Sequence, residues 1–485
     1  MSEAPVEHRM YVAGGWTDSV SGARMEVRSP ATGEPLGTVP EGTREDVRRA
    51  VAAAGEAAPG WGALSAFERA AAMERVAGII EERREELSRT LVLDQGKTLA
   101  EARDEVEELV LYFRMAAADA PRLEGAMPPS VDGGKRVFVY RVPRGVVGVI
   151  SPWNWPYTMP AELIAPALAC GNAVVWVPAP TTSVCAVALA GCLADAGLPA
   201  GVFNMVTGPG PVVGDELAAN PGTHAVGFIG SIETGRKVAS RAAGKALLLE
   251  MGGNGPVVIL EDADLDAAVE ASISSAFMCA GQSCTAGELF MVQEGVRDAF
   301  LERLLGEMDR SVRLGDPFAP ETTMGPLNNE PTAGKVDRHV KDALGRGARL
   351  LAGGSRARGF PTDLYYEPTV LDGVTPEMLI FREETFGPVV PVVGIRDESE
   401  ALAAVNASPY GLLSAVFTRD LERGLRFAEA VRTGWVNVNA SSNHWESHLP
   451  FGGRSGSSSG LGRVGGRYPM EAFTEPKTVI LDLGR

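Results

Sequence analysis

From Gly145 onward the chain alternates short β-rich runs with helical stretches, and this alternation limits the fold more than any other feature. The runs are Val146–Ile150, Ala173–Val177, Val202–Val206, Ala225–Ile229 and Ala246–Leu249, separated by segments rich in Ala and Leu. Strands that are apolar on both faces need cover on both sides, and intervening helices supply it. The pattern predicts a doubly wound parallel α/β sheet. A second alternation begins at Pro256–Leu260 and continues through Val389–Ile395, Leu413–Thr418 and Trp435–Asn439. The tail Lys477–Leu483 reads as a lone strand, far from any hairpin partner and so suited to pairing across a subunit boundary.

The first 120 residues open on a strand-like stretch, Met10–Trp16, and then turn helical. Ser65 with Glu68, and Thr98 with Glu101, have the spacing of capping boxes, in which hydroxyl and carboxylate satisfy the free N–H groups of a first turn. Val106, Leu109, Val110 and Phe113 share one helical face. These helices read as scaffold.

Composition narrows the function. With 45% apolar and 22% charged residues among 485, the chain is an ordinary globular one. Lys plus Arg number 45 against 62 Asp plus Glu, a net charge of −17, which argues against nucleic acid or an anionic membrane as partner. No apolar run nears the roughly 20 residues that span a bilayer. Met1–Met10 lack the basic start and apolar core of a secretory leader, so a cytoplasmic location is expected. The five cysteines include no C-x-x-C pair, so neither a disulfide framework nor structural zinc is expected.

Three motifs come close to known signatures and miss. Gly208–Gly214 follows a strand, but its spacing is G-x-G-x-x-x-G with prolines in the turn. Gly230–Lys237 lacks the G-K-[ST] ending of a nucleotide-triphosphate loop, which disfavours ATP hydrolysis. A helix starting at Ser231 would still offer free N–H groups to a diphosphate. His444 and His448 flank Glu446 in the wrong order for a zinc protease, and no metal is expected.

Three other segments carry chemistry. Cys284 lies in Cys279-Ala280-Gly281-Gln282-Ser283-Cys284, a polar and glycine-flanked setting that suits an accessible thiolate. Glu250 closes an apolar strand just before Gly252 and Gly253, at the sheet edge where α/β sites collect; partial burial would raise its pKa and suit it to general-base work. Asn154, in Pro152-Trp153-Asn154-Trp155-Pro156-Tyr157, is a rigid amide donor in an apolar wall, as an oxyanion site requires.

Together with Glu383–Pro388 and Pro450–Gly453, and with 34 residues separating Glu250 from Cys284, these segments resemble the NAD(P)-dependent aldehyde dehydrogenase superfamily along nearly the whole chain. The resemblance implies a Rossmann-like cofactor domain (1–120 and 144–252), an α/β catalytic domain (253–455) and a small β oligomerisation element (121–143 and 466–485). It implies Cys284 as nucleophile, Glu250 as base, and the Asn154 side chain with the Cys284 N–H as oxyanion donors. The aldehyde would become a thioester on Cys284, hydrolysed with Glu250 as base; relatives that pass the thioester to CoA lack that base. Cofactor contacts are implied at Ile150, Ser151, Pro152, Trp153, Val177 and Pro180. Further ones fall at Gly208, Gly230, Ser231, Met251, Gly252, Glu384 and Phe386. Trp155, Tyr157, Ser283, Thr285, Trp445 and Phe451 would line the substrate site. A homodimer or homotetramer is implied, with Arg136–Pro143 and the C-terminal strand joining subunits.

Two departures bear on specificity. Val177 stands where the family carries a ribose-binding Lys, and Pro180 where NAD users often carry a carboxylate; NAD is expected over NADP. Arg454–Ser459 is about two residues longer than usual, so its contact with the substrate mouth is open. No Arg stands near Cys284 to clamp a distal carboxylate, and the aromatic residues point to an apolar or aromatic aldehyde, with succinic semialdehyde as the alternative. Rival classes are a catalytically silent dinucleotide-binding protein, disfavoured by the retention of Cys284 and Glu250, and a cofactor-free thiol esterase.

Overall fold

The computed structural model describes residues 6–484. Its larger sheet has five central parallel strands in the spatial order Ala246–Met251, Ala225–Gly230, Val146–Ile150, Ala173–Val177, Phe203–Met205. Val146–Ile150 and Ala173–Val177 are buried at every position, as strands covered on both faces must be. Gly460–Leu461 closes one edge antiparallel, and Met10–Val12 with Gly15–Thr17 closes the other. The Met10–Trp16 stretch is therefore a hairpin and not one strand: Ala13 and Gly14 turn at positive φ (53° and 81°).

The chain lays down Val146–Ile150, steps twice to one side, then returns to place Ala225–Gly230 on the other side. The order thus reverses between Val146–Ile150 and Ala225–Gly230. Helices diverge there, and a crevice opens beyond the carboxyl ends of the two strands. Ser151–Asn154 and Gly230–Ser231 leave the sheet at that point.

The second sheet runs Arg349–Ala352, Thr369–Asp372, Val389–Ile395, Leu289–Gln293, Pro256–Ile259, Leu413–Phe417, Trp435–Val438, parallel throughout except at Arg349–Ala352. Each large sheet has its own apolar core. The C-terminal strand is not alone: Thr474–Asp482 pairs antiparallel with Lys135–Pro143 of the same chain over their whole lengths. Its partner lies more than 300 residues earlier, a separation that local hairpin rules cannot see.

The expected capping boxes form at Ser65/Glu68 and Thr98/Glu101, and a third forms at Thr43/Asp46. The Thr98 box opens the helix Leu99–Asp119, whose Val106, Leu109, Val110 and Phe113 are buried as expected. Its Glu101 does more than cap: the other carboxylate oxygen accepts the Cys279 N–H (2.6 Å) and ties this helix to the cysteine loop.

Candidate active site

Cys284 follows the helix Leu265–Phe277 through a tight turn. Cys279, Ala280 and Gly281 all take positive φ (51°, 53° and 72°), a conformation that costs L-residues about 1–2 kcal/mol each. Only glycine fits at the third position, because a Cβ on Gly281 would lie 2.2 Å from the Gly387 carbonyl. Gln282 ties the turn down at three points. Its side chain donates to the Cys279 carbonyl (2.8 Å) and accepts the Asn328 N–H (2.8 Å), while its carbonyl accepts Asn154 Nδ2 (3.0 Å). Cys170, Cys185, Cys192 and Cys279 are buried, whereas Cys284 is partly exposed.

Glu250, near the end of the strand Ala246–Met251, is only 3% exposed, and its Oε1 has no hydrogen-bond partner. Burial pushes its pKa up to about 8, aided by the Glu384 carboxylate and opposed by the adjoining Cys284 thiol. Burial also pushes the Cys284 thiol well up, reinforced by Glu250, Glu162 and Glu384. The long loop Arg454–Ser459 grips this strand: Ser459 donates through Oγ to the Gly252 carbonyl (2.9 Å), and its own carbonyl accepts the Met251 N–H (3.1 Å). Ser459 thus braces the backbone around Glu250.

Two cavities meet at this pair, and Cys284, Glu250 and Met159 border both. The cleft on one side, about 440 Å³, is lined by Pro152, Trp153, Asn154, Gly230, Ser231, Glu384 and Phe386. Ser231 caps the helix Ile232–Arg241 through the Thr234 N–H and borders the cleft, so the N-terminus of that helix lies at the cleft with the polarity that suits an anion. Trp153 and Phe386 meet edge to face at 5.6 Å. Phe386 holds φ 60° because Glu288, buried beneath it, accepts the Thr385 and Phe386 N–H groups (2.6 and 2.7 Å). Glu384 accepts the Gly253 N–H (3.2 Å), and a Cβ on Gly252 would come within 2.1 Å of its Oε1. A cleft of this volume, with a helix N-terminus, an apolar ring wall and a carboxylate, fits a dinucleotide.

The smaller chamber on the other side, about 170 Å³, is bordered by Trp155, Ser283, Thr285, Trp445 and Phe451 among others. Tyr157 is not there. It is fully buried and its hydroxyl donates to the Leu87 carbonyl (3.2 Å), so it packs the scaffold. The helix read as scaffold instead supplies Asp104, Glu105 and Glu108 to the chamber, and Thr158–Ala169 supplies Glu162. Periodicity marks a buried face and carries no sign of which polar residues flank a cavity; hence these four were missed, as was Lys335 in the cleft.

Ile150, Ser151, Val177, Gly208 and Pro180 lie at or just past the carboxyl ends of the parallel strands, outside the bordering set of either cavity. Ser151 Oγ accepts Trp176 Nε1 (2.8 Å), and a Cβ on Gly208 would meet the Gly42 N at 2.9 Å, so both also serve packing. Met251 turns away from the cleft and packs on Gly235. His444 and His448 lie 3.9 and 3.6 Å from Glu446 carboxylate oxygens on an exposed loop.

The aldehyde dehydrogenase family model matches residues 16–479. The chain belongs to the aldehyde dehydrogenase family. It is 40% identical to the alpha-ketoglutaric semialdehyde dehydrogenase of Bacillus subtilis and 38% identical to an NADP(+) succinate-semialdehyde dehydrogenase of Escherichia coli, each alignment covering 97% of both chains. Among solved structures, betaine aldehyde dehydrogenase of Staphylococcus aureus in complex with NAD+ superposes with a TM-score of 0.95 at 33% identity, covering 99% of this chain and 95% of that one. The resemblance in family and fold read from the sequence is thereby shown. Among the described residues, no helix of this aldehyde dehydrogenase is long and apolar enough to cross a membrane.

Proposed function

We propose that this aldehyde dehydrogenase oxidises its substrate to the carboxylic acid through a thioester on Cys284, using NAD in preference to NADP. The observation that carries this reading is the Cys284 thiol beside the Glu250 carboxylate, where a dinucleotide-sized cleft meets a small chamber. Cys284 must lose its proton to attack, and burial among carboxylates opposes that loss. The unpartnered Glu250 Oε1 is the acceptor at hand. Asn154 spends one Nδ2 hydrogen on Gln282 and keeps the other for the carbonyl oxygen, together with the Cys284 N–H. Such a donor, held before the reaction begins, is worth about 2.7–4 kcal/mol of barrier.

A bound nicotinamide would supply the hydride acceptor that turns the thiohemiacetal formed by Cys284 and the aldehyde into the thioester. Ser231 and the N-terminus of Ile232–Arg241 would hold the diphosphate, Glu384 the nicotinamide ribose, and Trp153 with Phe386 the ring. Gly252 leaves room for Glu384 to do so. Once Glu250 has passed the thiol proton to solvent, its carboxylate takes a proton from the water that attacks the thioester. A base of pKa about 8 is well matched to that task near neutral pH. Val177 and Pro180 offer a 2′-phosphate no cation, which supports NAD; turnover with each cofactor tests the preference.

The named semialdehyde relatives support a substrate with a polar group at its far end, and a semialdehyde is the second reading. The apolar or aromatic aldehyde expected from Trp155 and Trp445 has no named relative behind it. The two large sheets support the cofactor and catalytic domains read from the sequence, and the ribbon of Lys135–Pro143 with Thr474–Asp482 supports the bridging element. Exposed Tyr140, Ile480 and Leu481 on that ribbon favour a homodimer or homotetramer. Five free cysteines suit a reducing, cytoplasmic compartment. The decisive assay is reduction of NAD by propanal, which Cys284→Ala abolishes; undiminished reduction by that variant would overturn the reading.

A further inference from the structure

The chamber beside Cys284 is walled by carboxyl groups. Glu162 is 2% exposed; its Oε1 accepts the Tyr112 hydroxyl, and its Oε2 has no partner. Thr158 Oγ1, one turn before it, and Glu250 Oε1 are likewise buried and unpartnered. Glu108 accepts Trp445 Nε1 (3.0 Å), and Asp104 stands on the same helix at the rim. No Lys, Arg or His borders the chamber. Lys97 lies behind the wall: its Nζ is 2.5 Å from Glu105 Oε2 and 3.5 Å from the centre of the Trp155 ring. That pair neutralises Glu105 and reaches Glu108 only weakly, and no cation acts on Glu162 or Glu250.

Buried polar atoms almost always find partners, so unpartnered oxygens bordering one cavity describe what the cavity lacks. An unpaired buried acid resists ionisation, and Glu162 is held well above the usual carboxylate range while Glu108 is pushed up to about 7. A carboxylate brought into this space would meet no cation and would hold these acids in their protonated form. A primary ammonium would bring hydrogen donors and the missing positive charge, with the Trp155 and Trp445 rings beside it.

We infer that the chamber selects an aldehyde carrying a protonated primary amine at its far end, with Glu162 as the main recognition group and Glu108 as a second. This rests on the aldehyde-oxidising reading above and names the substrate class for that site. The size agrees: a cavity of about 150 Å³ takes up benzene, which bounds the occupant to a short aliphatic chain. The vestibule outside shares Asp104, Glu108 and Trp445 with the chamber and adds Glu107 and Glu446. Its basic residues are Arg84, His448 and Arg114, the last paired with Glu81 at 2.7 Å. The approach is therefore acidic on balance and favours a cation in transit.

The test compares 3-aminopropanal, butanal of the same heavy-atom count, and succinic semialdehyde on the wild-type enzyme. A charge-assisted hydrogen bond to a buried acid predicts kcat/KM for 3-aminopropanal about tenfold or more above butanal, with succinic semialdehyde lowest. Glu162→Gln should shrink the first ratio about tenfold, and Glu108→Gln, at the rim, about threefold. Preference for succinic semialdehyde, or an ammonium-to-neutral ratio unmoved in both variants, overturns the inference. Calorimetry with propylammonium, propanol and propionate keeps the two readings apart. If no aldehyde is oxidised but propylammonium alone binds, and weakens in Glu108→Gln, the oxidation reading fails and the charge inference stands. If propionate binds best, the charge inference fails whatever the turnover.

Discussion

The cleft and the chamber that meet at Cys284 are built in opposite ways. The cleft is a consequence of topology: strand order reverses between Val146–Ile150 and Ala225–Gly230, and the segments leaving those strands become its walls. The chamber has no such rule behind it. Its walls come from Leu99–Asp119, Thr158–Ala169, the cysteine loop and residues 443–464, brought together only by tertiary packing. The cleft mixes amide, hydroxyl and carboxylate side chains with the cation of Lys335, whereas the charged groups bordering the chamber are acids alone. One side is thus fixed by the fold, and the other is free to set what this chain accepts.

That contrast can be broken by substitution. The largest effect is expected at the junction, where Cys284→Ala should lower aldehyde oxidation by at least about a thousandfold while dinucleotide binding in the cleft persists. Asn154→Ala should cost about 10²–10³ in kcat, with KM for the cofactor little changed, as steady-state kinetics will read. A smaller effect is expected in the cleft: Gly252→Ala forces Glu384 aside, and the cofactor KM should rise about tenfold with kcat less affected.

The smallest effect sharpens the comparison through pH. Glu250 keeps its proton in the fold up to about 8, whereas the unfolded side chain releases it near 4.5. The folded state binds more protons across that window, so this group's contribution to stability is full below 4.5 and is lost as pH rises through 8. Glu250→Gln should raise the melting temperature by a few degrees at pH 8, as scanning calorimetry can measure, with the margin fading toward pH 5. Wild-type activity should follow the reverse trend and climb toward pH 8 as the base ionises.

Legibility in the sequence divides along the same line. Val146–Ile150, Ala173–Val177 and Val389–Ile395 were readable to the residue because continuous apolar runs have few alternatives. Local setting singled out Cys284, Glu250 and Asn154, the family resemblance gave each its role, and the fold brings all three to one junction. Tyr157 was misread because an aromatic residue next to a site has the same composition whether it faces cavity or core. Glu162 and Glu108 gave no signal, since an acid on a helix reads as a solvated face until the packing partner is known. The C-terminal strand failed for a related reason: its register partner is invisible to local pattern.

The central claim is that one sulfur carries the acyl group and one neighbouring carboxylate releases it. Glu250→Gln, mixed at alkaline pH with substrate and NAD and then quenched in acid, measures this directly by peptide mass. Acylation near one equivalent on Cys284, decaying far more slowly than in the wild type, is the expected result. An acyl group on another residue, or release as fast as in the unaltered protein, would contradict the account.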